Sequence, residues 1–277
     1  MPELPEVETM VRGIRRHCEN RAILQVEFTP CLRKPIPVFP SRDAFARISG
    51  QVLTKVGRLG KRVLLELESA ETVIVEPRMT GLLLVSSPPT EEHLRVRWLF
   101  QSSSGKADQL RFWDRRGLGT VSLLSPEQML ILRKRLGPDA LQMTEQTWEE
   151  RLQRTSRPIK VVLLDQSVVA GIGNLYASEI LHVAGISPLR AACQLSRSQR
   201  ALLHQATQQI LREAIRYEGS TLNDGTYRNA LNEDGGYQNH HLVYDKADAP
   251  CPRCQNVTIQ RIVQAQRSTF YCAGCQK

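Results

Sequence analysis

The dipeptide Ser125-Pro126 separates two regimes of hydrophobic period, and that break limits the folds open to this chain more than any other feature. Ahead of it, eight short β-prone runs follow one another between Gly, Pro and Ser turns: AILQVEF, VLTKV, RVLLELE, TVIVEP, GLLLVS, RVRWLF, QLRFW and GTVSLL. Short strands at this spacing predict an antiparallel sandwich or barrel. Beyond the break, helical spacing takes over at 126–136, 145–154, 158–166, 174–184 and 196–217, with Ser125, Thr144 and Ser196 placed as N-caps. One helix precedes the strands, because Val7, Met10, Val11 and Ile14 recur on one face of residues 4–18. The chain is therefore α+β, and its 277 residues exceed what one small core would use. The expected division is 1–125 for the β-sandwich with its N-terminal helix, 126–240 for a helical domain and 241–277 for a terminal appendage. Within the second, residues 218–240 are rich in Gly, Asn and Asp without periodicity and read as a long loop, a kind that is usually functional or mobile.

The appendage is defined by its cysteines. Cys251-Pro-Arg-Cys254 and Cys272-Ala-Gly-Cys275 enclose seventeen residues, of which 257–263 and 268–272 are β-prone. Two short-looped thiolate pairs joined by a hairpin suit a closed tetrahedral site for one structural Zn2+ ion. Cys18, Cys31 and Cys193 stand apart, and an odd total of seven so grouped fits metal binding in a reducing compartment better than a disulfide framework. Arg253, Arg261 and Arg267 make the hairpin basic.

Charge points to the partner. With 37 Lys and Arg against 28 Asp and Glu, the net charge is +9, which suits a polyanion better than a small substrate. No run approaches the roughly 18 apolar residues of a membrane span. Glu3, Glu6 and Glu8 occupy the place of a signal peptide's basic and apolar regions, so the protein is expected in the cytosol.

Chemistry concentrates at the start, Met1-Pro-Glu-Leu-Pro-Glu-Val-Glu8. Removal of the initiator methionine would leave Pro2 as a secondary amine. A terminal amine has a reference pKa of about 7.7 to 8.0, against about 10.4 for lysine, so roughly a third of it is unprotonated at about pH 7.5. Such an amine can condense with a sugar aldehyde to an iminium, and Glu3 lies within reach of whatever Pro2 binds. Proline and glutamates are also simply how helices begin. Other turns hold candidates of the same double meaning. Gly171-Ile-Gly173-Asn174 could clamp a phosphate through backbone N–H groups, with Asn174 capping the next helix. Lys61 begins a strand after Gly57-Arg-Leu-Gly60, while Met79 and Leu118 lie in turns where an apolar side chain beside an arginine could wedge into a base stack.

Taken in order, these motifs resemble the formamidopyrimidine-DNA glycosylase family, which excises oxidised purines such as 8-oxoguanine. The resemblance runs from PELPEVET through the GK, RMTG and DRRGLG turns and LDQSVVAGIGNLYASEIL to QRSTFYCAGCQK. It implies a helix-two-turns-helix domain and a four-cysteine zinc finger beside the sandwich. It also implies a bifunctional DNA glycosylase and abasic-site lyase, acting as a monomer on double-stranded DNA with oxidised bases or abasic sites. Residue by residue, Pro2 matches the nucleophile, Glu3 the acid/base, Lys61 the catalytic lysine and Arg267 the finger arginine of δ-elimination. Asn174, with Lys160 beside it, matches a phosphate contact. His93 and Arg116 match DNA contacts, and Met79, Arg116 and Leu118 match the side chains that fill the gap left by a flipped base. Cys251, Cys254, Cys272 and Cys275 match the zinc ligands. The chain departs from the family at Leu118, where an aromatic is usual, at Arg78, where glycine is usual, and in the loop TYRNALNEDGGYQNHH. Those departures leave open a shifted lesion preference, toward oxidised pyrimidines or abasic sites, or a damage-binding scaffold without chemistry. Leu4 favours the purine branch over endonuclease VIII, and intact Pro2, Glu3 and Lys61 favour an enzyme.

Overall fold

The computed structural model describes residues 2–30, 34–101, 108–222 and 224–277. These form two compact units, the first reaching Lys134 and taking back Ile215–Gln238, the second comprising Arg135–Ala214 and Asn239–Lys277. Cys31 lies outside the described residues.

The first unit opens with α1, Leu4–Cys18, whose Val7, Met10, Val11 and Ile14 are all buried, as their spacing predicts. Among the described residues nine strands follow: β1 Arg21–Phe28, β2 Val38–Phe39, β3 Val52–Leu59, β4 Arg62–Leu67, β5 Thr72–Glu76, β6 Gly81–Leu84, β7 Leu94–Phe100, β8 Asp108–Asp114 and β9 Thr120–Leu124. Their ladder runs β2-β9-β5-β4-β3-β1-β7-β8-β6. β1 is the corner of this ladder. Arg21 and Ala22 pair with β3, while Ile23 to Phe28 pair with β7 across a register shift, so one ladder bends into two layers. Both halves and α1 supply the same core, with Val63, Leu65 and Val73 on one side and Trp98, Leu110 and Phe112 on the other. All eight β-prone runs are strands. The short β2 is additional, pairing in parallel with β9 through Val38 and Phe39.

The helices α2 Pro126–Arg135, α3 Glu145–Leu152, α4 Ile159–Leu164, α5 Asn174–Ala184 and α6 Arg197–Arg216 match the five helical stretches. The expected caps are present: the hydroxyls of Ser125, Thr144 and Ser196 accept from the N–H groups of Gln128, Thr147 and Gln199 at 3.4, 3.1 and 3.2 Å. Between α4 and α5 lies the double turn of a helix-two-turns-helix. The Gln166 side chain staples it, donating to the carbonyls of Leu164 and Ile172 at 3.1 and 2.9 Å and accepting the Gly171 N–H at 2.9 Å. The turn also pairs with Pro138 and Ala140, and a side chain at Gly137 would collide with the Val168 carbonyl at 2.4 Å.

Beyond it, β10 Gln260–Gln264 and β11 Arg267–Tyr271 form the hairpin between the cysteine pairs. Val243, Ile259 and Phe270 pack around Cys251 and Cys272 in a small separate core. Among the described residues, no helix is long and apolar enough to cross a membrane.

Candidate active site and nucleic-acid interface

The amino terminus is held by two carboxylates. Pro2 is buried, and Glu3 caps α1 from an extended backbone at φ −106°. Glu6 Oε2 accepts the Glu3 N–H at 2.9 Å, and its other oxygen accepts the Ser220 N–H at 2.9 Å. Glu6 is 3% exposed, so charge-assisted bonds at both oxygens offset the cost of burying it. It thereby fixes the backbone next to Pro2 and the start of the 218–238 loop together.

That loop has little regular structure, yet its own side chains fasten it. The Asn229 amide donates to Glu218 Oε2 at 2.7 Å and its oxygen accepts the Leu231 and Glu233 N–H groups at 3.0 Å. The buried Tyr227 hydroxyl donates to the Glu218 carbonyl at 2.9 Å, and burial, with Glu6 nearby, raises its pKa well above the usual value. The Val85 N–H donates to the Ala230 carbonyl at 3.0 Å, which ties the loop to the end of β6.

Lys61 sits with Gly60 in the two-residue turn between β3 and β4, where Gly60 takes φ +57°. Arg58 braces this turn, donating to the Gly60 carbonyl at 3.0 Å and to Glu8 Oε2 at 3.0 Å. Burial pushes the Glu8 carboxyl up, but hydrogen bonds from Arg58 and Arg12 outweigh it and hold the group below its ordinary value. The Arg58–Glu8 ion pair thus ties the helix that follows Pro2 to the turn that carries Lys61.

Met79 and Arg116 come together, with Arg116 Nη1 3.1 Å from the methionine sulfur. Leu118 follows in the same loop as Arg116 and is 45% exposed, and Met79 is 36% exposed, so neither is a core residue. Arg78, at φ +54°, pairs with Glu76 at 3.0 Å, so its charge is matched within the sandwich. His93 is half-buried with its ring edge-on to Trp113 at 5.6 Å.

In the second unit Lys160, expected as the companion of Asn174, does stand beside it, but it is 0% exposed, and Nζ donates to Asn174 Oδ1, the Ser268 carbonyl and Thr269 Oγ1 at 2.8, 2.9 and 2.6 Å. Lys160 therefore joins α5 to β11. Asn174 is not the cap. Gly173 takes that position and Asn174 is the first helical residue, its oxygen accepting from Lys160. An ammonium can only donate, so the atom facing it must be the amide oxygen, and the two N–H donors lie on the amide's other edge. Arg267 is exposed and opens β11 after a two-residue turn, Ala265 and Gln266, both at positive φ.

The four cysteine sulfurs lie within 4.8 Å of one another, with Cys251 and Cys275 at 3.8 Å and Cys254 and Cys272 at 3.7 Å. A tetrahedral zinc with Zn–S bonds of about 2.3 Å requires sulfur separations of about 3.8 Å. The site fits one zinc ion and leaves no position for water.

Sequence reasoning placed Glu6 beside Pro2 without a role, and gave none to Thr80, Asp114 and Gln166. The Glu3-x-x-Glu6 spacing, a capping-box arrangement, could have exposed the first, and an aspartate leading the turn Arg115-Arg-Gly-Leu-Gly119 the third. Thr80 and Gln166 carry no local signal.

A helix-two-turns-helix with a four-thiolate finger, alongside a sandwich entered by a proline-led helix, already narrows the class of protein, and comparison with known families narrows it further. Residues 1–121 match the formamidopyrimidine-DNA glycosylase N-terminal domain, 136–226 the family's H2TH domain, and 249–277 the zinc finger found in FPG and IleRS. The chain belongs to the formamidopyrimidine-DNA glycosylase family. It is 42% identical to the formamidopyrimidine-DNA glycosylase of Chloroflexus aurantiacus over 100% of this chain and 98% of the relative. The crystal structure of the MutM (Fpg) protein of Thermus thermophilus superposes with a TM-score of 0.85 at 33% identity, covering 99% of this chain and 98% of that one. The Lactococcus lactis Fpg in complex with abasic-site DNA gives 0.86 at 33% identity, covering 99% of each chain.

Proposed function

We propose that this protein is a base-excision-repair DNA glycosylase and abasic-site lyase that removes oxidised purines from duplex DNA in the cytosol, as a monomer. The observation that carries the reading is the start of α1, where the buried Pro2 is followed by a glutamate whose backbone is locked by a second glutamate. Pro2 attacks C1′ of a flipped nucleoside. The glycosidic bond breaks, the base leaves with a proton, and Glu3 protonates the ring oxygen as the sugar opens to a Pro2 iminium. The iminium acidifies the C2′ proton, so its removal expels the 3′ phosphate, and a second elimination expels the 5′ phosphate. Glu3 and Lys61 move the protons, and the Arg58–Glu8 pair holds the Lys61 turn against α1 while they do so.

Arg267, His93, Arg116 and the outward N–H edge of Asn174 grip the DNA strand, with Lys160 orienting Asn174. Zinc, when bound, supplies no chemistry beyond fixing the hairpin that presents Arg267. Met79, Arg116 and Leu118 fill the space the flipped base vacates.

Borohydride reduces an iminium to a stable amine, so it should trap a covalent protein–DNA adduct on an 8-oxoguanine duplex, and the adduct should map to Pro2. Pro2→Gly should cut the yield severely. An undiminished yield would remove Pro2 from the mechanism.

A further inference from the structure

Asp114, the last residue of β8, is fully buried where the two segments carrying Met79, Arg116 and Leu118 cross. Its Oδ1 accepts from the Thr80 hydroxyl and from the Arg116 N–H at 3.2 Å, and its Oδ2 accepts the Gly119 N–H at 2.7 Å. The Thr80 oxygen also accepts the Arg116 N–H, at 2.9 Å. Behind the carboxylate, Arg95 donates through Nε and Nη2 to the Asp114 carbonyl at 2.9 and 2.6 Å, placing positive charge beside it. Thr80 is 3% exposed and Arg95 3%. A Cβ at Gly119 would stand 2.6 Å from the Phe112 ring and 2.9 Å from the Glu76 carbonyl, so this loop lies as close to the sheet as glycine allows.

A buried carboxylate is costly unless several donors meet it. Here a hydroxyl and two backbone amides do so, and each belongs to a residue beside or between the exposed side chains. Thr80 adjoins Met79, while Arg116 and Gly119 bracket Leu118.

We propose that Thr80 and Asp114 are positioning residues that lock the Met79 turn and the Arg116–Leu118 loop into one rigid piece, so that the three side chains enter the base stack in fixed register. The inference rests on the reading of those three as gap fillers. It adds that their reach is set by a buried node which touches no DNA. With leucine in place of a flat aromatic ring, less of that register comes from stacking and more from the node.

Thr80→Val keeps the shape and removes the hydroxyl, and Thr80→Ser keeps the hydroxyl. Two activities are compared: excision of 8-oxoguanine from a duplex, which needs the gap filled, and cleavage at an abasic site in a single strand, where there is no gap. Losing a buried charge-assisted hydrogen bond should lower kcat/KM for duplex excision about tenfold in T80V. Single-strand cleavage should stay near the wild-type rate, T80S should restore excision, and discrimination among opposite bases should weaken in T80V alone. Unchanged excision in T80V, or a parallel fall in both activities, overturns the inference. Leu118→Ala separates the two readings. If L118A loses duplex excision while T80V does not, the gap-filling reading stands and the node fails. If L118A excises normally, both fail.

Discussion

Lys160 shows how much a residue's surroundings decide what its type can do. A lysine near the Gly171–Asn174 turn reads as a DNA contact, and this one is fully enclosed with its ammonium donating to Asn174, Ser268 and Thr269. Any effect on DNA is then relayed by the groups it holds, and Asn174 is the one among these with a side chain read as a phosphate contact. Lys160→Met and Asn174→Ala should each weaken binding to an abasic duplex, and the double mutant should be little worse than the poorer single one, because residues acting through one contact do not add. Independent, additive losses in a titration would show that Lys160 acts by a route other than Asn174, either directly or through β11. His241 is a second buried cationic type with a different outcome. Burial, with repulsion from Lys246 and His240, lowers its pKa to about 4 from 6.5. The unfolded chain then takes up a proton that the folded one refuses, so stability present at neutral pH is lost as pH falls from about 6.5 toward 4, by up to about 3 kcal/mol. With zinc saturating, the urea midpoint of His241→Phe should fall less between about pH 7.5 and pH 5 than that of the wild type.

At the scale of elements, what repeats locally was readable and what closes over long distances was not. Eight sandwich strands announce themselves as short β-prone runs between turns and six helices by a period of 3.6, and three caps by Ser or Thr before a run. The two-residue β2 has too few side chains to show a period, and it exists only because β9 lies beside it. The 218–238 loop has no period at all; its path follows from Glu6, Tyr227 and Asn229, whose partners no pattern in the sequence connects. Gly13 belongs to the same class. It sits mid-helix in α1, where alanine would ordinarily be better by about 1 kcal/mol. A Cβ there would meet the Ala230 Cβ at 2.5 Å, and neither methyl has a torsion with which to yield. Overpacking costs about 1–3 kcal/mol, so it outweighs the propensity gain. Gly13→Ala should lower the melting temperature, and adding Ala230→Gly should recover most of the loss. A stabilised Gly13→Ala protein would show that the loop does not bear on α1.

For the whole molecule, the surplus of nine positive charges becomes a statement about DNA only through its salt dependence. Each phosphate neutralised adds about −0.9 to the slope of log K against log salt. Arg267, exposed at the start of β11, should contribute one such contact, so Arg267→Ala should flatten the slope by about one unit. Leu118→Ala should lower affinity at every salt concentration and leave the slope alone, since an apolar side chain releases no counterion. Zinc joins this to folding. The finger's core of Val243, Ile259 and Phe270 around Cys251 and Cys272 is too small to hold the hairpin by burial alone. Stripping the metal should therefore release β10 and β11, withdraw Arg267 and leave Lys160 without the Ser268 and Thr269 acceptors. The stripped protein should show at least the slope change of Arg267→Ala. Hydrogen exchange should rise in the hairpin and in α5, which packs against β11, while the sandwich strands keep their protection. A slope unchanged by a chelator would mean that the finger neither needs its zinc for shape nor brings an arginine to the phosphates.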